Sequence, residues 1–133
     1  MSQEDVEFVR SVFAAWESGG LDAAAEFWHP QIDWRAAEGA IDDVGDIRGK
    51  EAMRRYLQDW LEDFDDLTFE LEEVIDAGQD VVAMQRMSGR AKGSGITTEL
   101  RYAVVYTVRD GRITRGREYW TREEALEAAS RSE

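Results

Sequence analysis

The stretch DGRITRGREYWTREEAL, residues 110–126, decides how this chain is read. Asp110-Gly111 is a strong two-residue hairpin signal, so one strand should run up to Arg109 and another away from Arg112. An unbroken ladder from that turn sets Thr114 opposite Thr107, Gly116 opposite Val105 and Glu118 opposite Ala103. Partners across an antiparallel ladder share a face. Glu118 would then look onto small residues, which leave the space a ligand pocket needs. The other face would carry Tyr102, Val104, Tyr106, Arg115, Arg117 and Tyr119. It is aromatic and apolar, with arginines able to lie over tyrosine rings, and it would suit a sheet-to-sheet contact with a second copy. The swapped arrangement, with the Tyr/Val face as core and Glu118 in solvent, is equally open on the residues alone.

Working outward, a period of two predicts strands over 68–76, 81–89, 97–108 and 113–120, joined by AGQD, RAKGSG and DG. Upstream the period is helical. Ser2 with Asp5 resembles a capping box, Val6, Val9, Phe13 and Trp16 form a stripe, and Gly19-Gly20 ends the element. A second helix, LDAAAEFW, is stopped by Pro30. IDWRAA (32–37) reads as a short strand and 38–49 as a polar loop. A third helix carries the stripe Met53, Tyr56, Leu57, Trp60, Phe64 and Leu67. Thr121 with Glu124 marks the start of a short C-terminal helix. Helices first and an antiparallel meander after them predict an α+β fold, one domain over 1–133, with three N-terminal helices packed on one face of a curved sheet.

Bulk properties exclude several classes. The chain has 133 residues, 43% hydrophobic with five tryptophans, enough for a core without staples. Its net charge of −13 repels phosphate backbones, so no nucleic-acid partner is expected. One histidine and no cysteine cannot assemble the usual zinc or copper site, and no EF-hand spacing or phosphate-cradling glycine loop appears. We therefore expect no metal and no cofactor. No apolar run approaches the roughly 18 residues of a membrane span, and the acidic N-terminus lacks a signal-peptide pattern, so a cytoplasmic protein without a membrane partner is expected.

Four segments, FWHPQIDW (27–34), IRGKEAMRRYL (47–57), RMSGRAKGSGI (86–96) and VRDGRITRGREYWTREEAL (108–126), resemble the nuclear transport factor 2-like superfamily in its SnoaL-like, polyketide-cyclase-like branch. The resemblance spans essentially the whole chain. It implies a cone: helices closing a strongly bent, mainly antiparallel sheet around a cavity, commonly with dimerisation through the outer sheet face. It favours the pocket reading of Glu118 and a homodimer through Tyr102, Val104 and Tyr106. Compared with ketosteroid isomerases, Arg35 stands at the base position, Val12 at the tyrosine and Ala103 at the oxyanion aspartate, so that machinery is absent. Compared with limonene epoxide hydrolases, Arg86 matches the central arginine, Ser88 replaces one aspartate and Glu118 stands at the other. Glu118 also matches the acid/base aspartate of the polyketide cyclases, whose partner histidine has only Val104 near its position.

Candidate catalytic residues are therefore Glu118 and Arg86, and candidate ligand-binding residues are Trp16, Trp34, Arg35, Trp60, Phe64, Ser88, Ala103 and Trp120. Phe69 belongs with the aromatic wall. Each has a plainer reading: Glu118 and Arg86 as an ion pair shaping the cavity, Arg35 and Arg86 as salt bridges, the aromatics as ordinary core. His29, before Pro30, reads as a local hydrogen-bonding residue. The expected ligand is a small hydrophobic or partly anionic molecule, an anionic group being met by the two arginines. Three functions stay open: a small-molecule binder, an enzyme transferring a proton or activating water at Glu118, and a dimeric interaction module with a filled core.

Overall fold

The computed structural model describes residues 2–37 and 45–131, without the Ser2 side chain. The Ser2–Asp5 capping box and residues 38–44 of the expected polar loop lie outside the described residues. The element order is α1 (Ser2–Ala25), β1 (Trp28–Arg35), β2 (Asp46–Arg48), α2 (Lys50–Asp63), β3 (Phe64–Ala77), β4 (Asp80–Ala91), β5 (Thr97–Arg109), β6 (Arg112–Tyr119) and α3 (Arg122–Arg131). Gly20, at φ 71° and ψ −154°, breaks α1 into the two helical segments expected around the glycine pair.

The six strands form one curled sheet in the order β2-β1-β6-β5-β4-β3. All ladders are antiparallel except β1 with β6, which is parallel. Strand β2 was expected to be loop. It is three residues long, and only Ile47 of it is buried. Phe64 and Leu67, read as the end of the third helix, open β3 instead. Helices α1 and α2 pack on the inner face, over the core of Val9, Ile32, Val81, Val104 and Ile113. Helix α3 packs on the opposite face, where Ala125 and Ala129 meet Val82, Ala103 and Val105. The N-terminal helices therefore share one face, as expected, and the short C-terminal helix covers the other. The start of α3 is the capping box read from the sequence: Thr121 Oγ1 accepts from the Glu124 N–H at 3.1 Å, and the Thr121 N–H donates to Glu124 at 3.3 Å.

The β5–β6 hairpin departs from the unbroken ladder at one residue. Asp110 and Gly111 both take positive φ, 53° and 70°, as a two-residue turn of this hand requires. Arg109 pairs with Arg112 and Val108 with Ile113, as expected. Then Thr107 pairs with Arg115, leaving Thr114 as an extra residue on β6. A single bulged residue gives every later residue of that strand a new partner, one position along, and so the opposite face from the one an unbroken ladder assigns. Glu118 consequently pairs with Val104, not Ala103, and Gly116 with Tyr106, not Val105.

Candidate functional site

The bulge settles which residues Glu118 sees. Val104 and Tyr106 belong to the inner core, whereas Ala103 and Val105 belong to the cluster under α3. Glu118 thus faces inward, with Tyr102, Val104 and Tyr106 beside it. These three were expected on an outer dimer face and are on the inner one. Ala103, expected in the pocket, is fully buried under α3. Arg115, Arg117 and Tyr119 alternate with Gly116 and Glu118 and so take the outer side of β6. There Arg117 pairs with Asp33 at 3.1 Å.

Between the inner face of the sheet and helices α1 and α2 lies a cavity of about 230 Å³. Trp16, Trp34, Trp60 and Trp120 line it, together with Glu118. The walls are aromatic because each contributing element turns one stripe inward: Phe13 and Trp16 from α1, Tyr56 and Trp60 from α2, Phe69 from β3. Trp16 meets Phe69 edge-on at 5.0 Å, and Phe64 stacks behind Trp60 at 5.3 Å without lining the space itself. Trp120 is 42% exposed, which places it at the rim.

Glu118 is held by its neighbours. Trp34 sits directly beside Gly116 in the parallel β1–β6 ladder. Gly116 has no side chain, so the indole lies flat across β6 and reaches Tyr106 on the next strand, ring centres 5.7 Å apart. From there Trp34 Nε1 donates to Glu118 Oε2 at 2.8 Å, two residues along β6 on the same face. The Ala37 backbone N–H donates to the other oxygen, Oε1, at 3.3 Å. Two N–H donors on one carboxylate are charge-assisted bonds that fix its orientation. The space expected from the small residue Gly116 is filled by the Trp34 ring.

A second polar group stands on the same wall. Gln85 is buried, 4% exposed, in a strand whose inward residues are otherwise Val81, Ala83 and Met87. The Tyr106 hydroxyl donates to Gln85 Oε1, and Gln85 Nε2 donates to the Tyr102 hydroxyl at 3.2 Å. Burial, and after it the negative charge of Glu118, pushes both phenols above their usual range, Tyr102 well above it. They are neutral donors at any physiological pH. Tyr102, Tyr106 and Gln85 were not among the expected site residues. The signal was present: a glutamine interrupting the alternation Val81-Ala83-Gln85-Met87 is a polar group on a core face.

Three other expected site residues lie elsewhere. Arg86 follows Gln85 and precedes Met87, so strand alternation turns it outward, where it pairs with Glu70 and with Glu99 at 3.2 Å. Ser88, two residues on, bonds Thr68 at 2.8 Å on that same side. Arg35 follows the inward Trp34 and is exposed, bonded to Asp46 at 2.7 Å, whose carboxyl it holds below the usual range. Both arginines point away from Glu118, and among the described residues Glu118 is the one charged residue lining the cavity. His29 Nδ1 accepts from the Gln31 N–H at 2.9 Å, a local bond. Among the described residues no three His, Cys, Asp or Glu side chains converge as a metal-binding group. No helix of the described residues is long and apolar enough to cross a membrane.

Comparison with solved structures places the fold. A protein encoded by a soil-derived mobile gene cassette superposes with a TM-score of 0.77 at 21% identity, covering 96% of each chain. An NTF2-like protein of Burkholderia thailandensis gives 0.75 at 26% identity over 95% of each chain. A Mycobacterium tuberculosis protein solved in complex with estradiol-17beta-hemisuccinate gives 0.72 at 20% identity, over 87% of this chain and 92% of that one. No curated protein matches the sequence. The helices and curled sheet form the nuclear transport factor 2-like cone. Residues 9–116 match the SnoaL-like domain model, and the chain belongs to the SnoaL-like domain family.

Proposed function

We propose that this protein binds a small, flat, mainly apolar molecule in the cavity beside Glu118. The observation that carries the reading is a carboxylate set in a mainly apolar and aromatic wall, both oxygens held by N–H donors. A charged group is seldom kept in such surroundings for packing alone. An apolar cavity of roughly 150 Å³ holds one benzene ring. About 230 Å³ therefore suits a ligand of one or two rings. The expected anionic character of the ligand is revised, because both arginines that prompted it are outside. A neutral molecule offering an O–H or N–H to Glu118 fits better. The steroid derivative bound by the structurally similar Mycobacterium tuberculosis protein supports small-molecule binding in a cone of this kind.

The test is native mass spectrometry of protein purified from its source, looking for a retained small molecule, followed by Trp16→Ala in the wall. Retention that is lost in Trp16→Ala supports the reading. Source-purified protein free of any added mass, and taking up no one- or two-ring aromatic compound, counts against it.

A second reading, acid–base catalysis at Glu118, draws on the fixed carboxylate. Glu118→Gln keeps the shape and can still accept from Trp34. An enzyme loses turnover of the retained molecule while still binding it, whereas a carrier binds as before and shows no turnover to lose. Self-association through the outer sheet face, around Arg115, Arg117 and Tyr119, is a separate proposal. Sedimentation velocity reads it, and a monomer at every workable concentration rejects it.

A further inference from the structure

The polar residues opposite the aromatic wall form a chain with a direction. Tyr106 is 5% exposed, and among the described residues its hydroxyl has one hydrogen-bond partner, Gln85 Oε1, to which it donates. Reversing the Gln85 amide would turn its NH₂ toward Tyr106 and leave that buried phenolic proton without an acceptor, which is costly. The amide is therefore set with its oxygen to Tyr106 and its nitrogen to Tyr102. Gln85 Nε2 donates to the Tyr102 oxygen, so a lone pair of Tyr102 is already used. The Tyr102 proton is taken by no acceptor among the described residues. Tyr102 also lines the cavity and is only half-buried.

We propose that the Tyr102 hydroxyl is the carbonyl anchor of this cavity: Tyr106 and Gln85 orient it, and its proton is offered to a ketone or quinone-type oxygen on the ligand ring. This deepens the binding reading above and rests on it. Glu118 sits across from Val104, two residues from Tyr102 on the same face of the neighbouring strand. Diagonal neighbours of this kind are about 7–8 Å apart. The wall thus presents a donor and an acceptor on one face, from neighbouring strands, within reach of one ring system. The ligand class that answers both is a ring compound with a carbonyl toward Tyr102 and an O–H or N–H toward Glu118. A phenol held neutral donates without adding charge to a wall that already holds a carboxylate.

The test uses two probes of nearly equal shape, 1-acetylnaphthalene and 1-ethylnaphthalene, titrated calorimetrically into the full chain. Wild type is expected to prefer the ketone. Tyr102→Phe should weaken ketone binding on the order of tenfold, the worth of one hydrogen bond, and leave the hydrocarbon unchanged. Hydrocarbon binding also shows that the variant is folded. Tyr106→Phe should give the same selective loss, because Gln85 is then free to turn its oxygen to Tyr102 and take the proton. Ketone affinity unchanged in Tyr102→Phe, with the hydrocarbon still bound, overturns the anchor and leaves the pocket reading standing. A loss in Tyr102→Phe without one in Tyr106→Phe overturns the orienting chain. Failure of wild type to bind either probe overturns the pocket reading and the anchor with it.

Discussion

Replacing Gly116 by alanine tests the arrangement that holds Glu118. A Cβ at Gly116 would fall 2.1 Å from Cε3 and Cζ3 of Trp34 and 2.9 Å from Cδ2. No neighbouring flexible tip can absorb that, because the obstacle is the indole ring itself. The ring is 7% exposed, rests on Tyr106 and donates to Glu118, so it cannot move without losing contacts. Overpacking of this kind costs about 1–3 kcal/mol. Loss of the bond to the carboxylate adds about 1.5–3 kcal/mol. The reduced freedom of the unfolded chain returns about 0.4–1 kcal/mol, as Gly116 does not need a positive φ. A net destabilisation of about 1.5–5.5 kcal/mol is expected. Urea unfolding followed by far-UV circular dichroism measures it. The cause is isolated by repeating the substitution in a Trp34→Leu background, where no ring crosses β6. There Gly116→Ala should cost less than about 0.5 kcal/mol, so nearly the whole effect appears as coupling energy. An equal cost in both backgrounds would refute the claim that Trp34 is the reason for a glycine at this position.

Two further outcomes follow from particular contacts. Tyr102 and Tyr106 are raised in the folded protein, so between their unfolded pKa near 10 and their folded values the native state binds more protons. Their contribution to stability is full below about pH 10 and is lost as pH rises above it. Absorbance at alkaline pH should show that Tyr106, the more deeply buried of the two, ionises only together with loss of far-UV structure. Its reversible titration with the fold intact would contradict that burial. Thr121→Ala removes the acceptor for the Glu124 N–H and should cost about 1 kcal/mol in thermal or urea unfolding, with ketone-probe binding unchanged. A cost under about 0.3 kcal/mol would mean that the cap contributes nothing to α3.

The α+β order was legible because its signals are local. Helical stripes, the glycine break at Gly20, the Asp110-Gly111 turn and the Thr121–Glu124 box each depend on a few adjacent residues. What was lost at the boundaries had weak local signals. Strand β2 is three residues pairing with β1, a tertiary contact with little pattern of its own. Phe64 continues the apolar stripe of α2 by spacing, yet its backbone is already extended at φ −129° and ψ 143°. The arginines misled for a different reason. Arg35 and Arg86 were placed by motif, but each sits one residue from an inward side chain, and their carboxylate partners on other strands are invisible until the sheet is assembled.

Glu118 was expected to face the cavity and does so, but beside other neighbours than expected, and one residue accounts for it. Thr114 is an ordinary strand residue, and nothing in its identity signals an unpaired position. Its hydroxyl bonds the Thr107 carbonyl at 3.3 Å, across the point where the pairing shifts. Without that bulge, Glu118 and Tyr106 would lie on opposite faces, since a carboxylate paired with Ala103 belongs to the side under α3. The bulge brings the carboxylate to the same side as the two phenols, Gln85 and the tryptophans. It also brings Gly116 beneath Trp34, which is what lets the indole reach Glu118. The mixed pattern of β6 thus follows from its position: the inward Gly116 and Glu118 serve the cavity wall, and the outward Arg115, Arg117 and Tyr119 belong to a different surface. Neither face of such a strand alternates cleanly, because one side must carry a polar group among aromatics and the other must pair with Asp33 across the sheet.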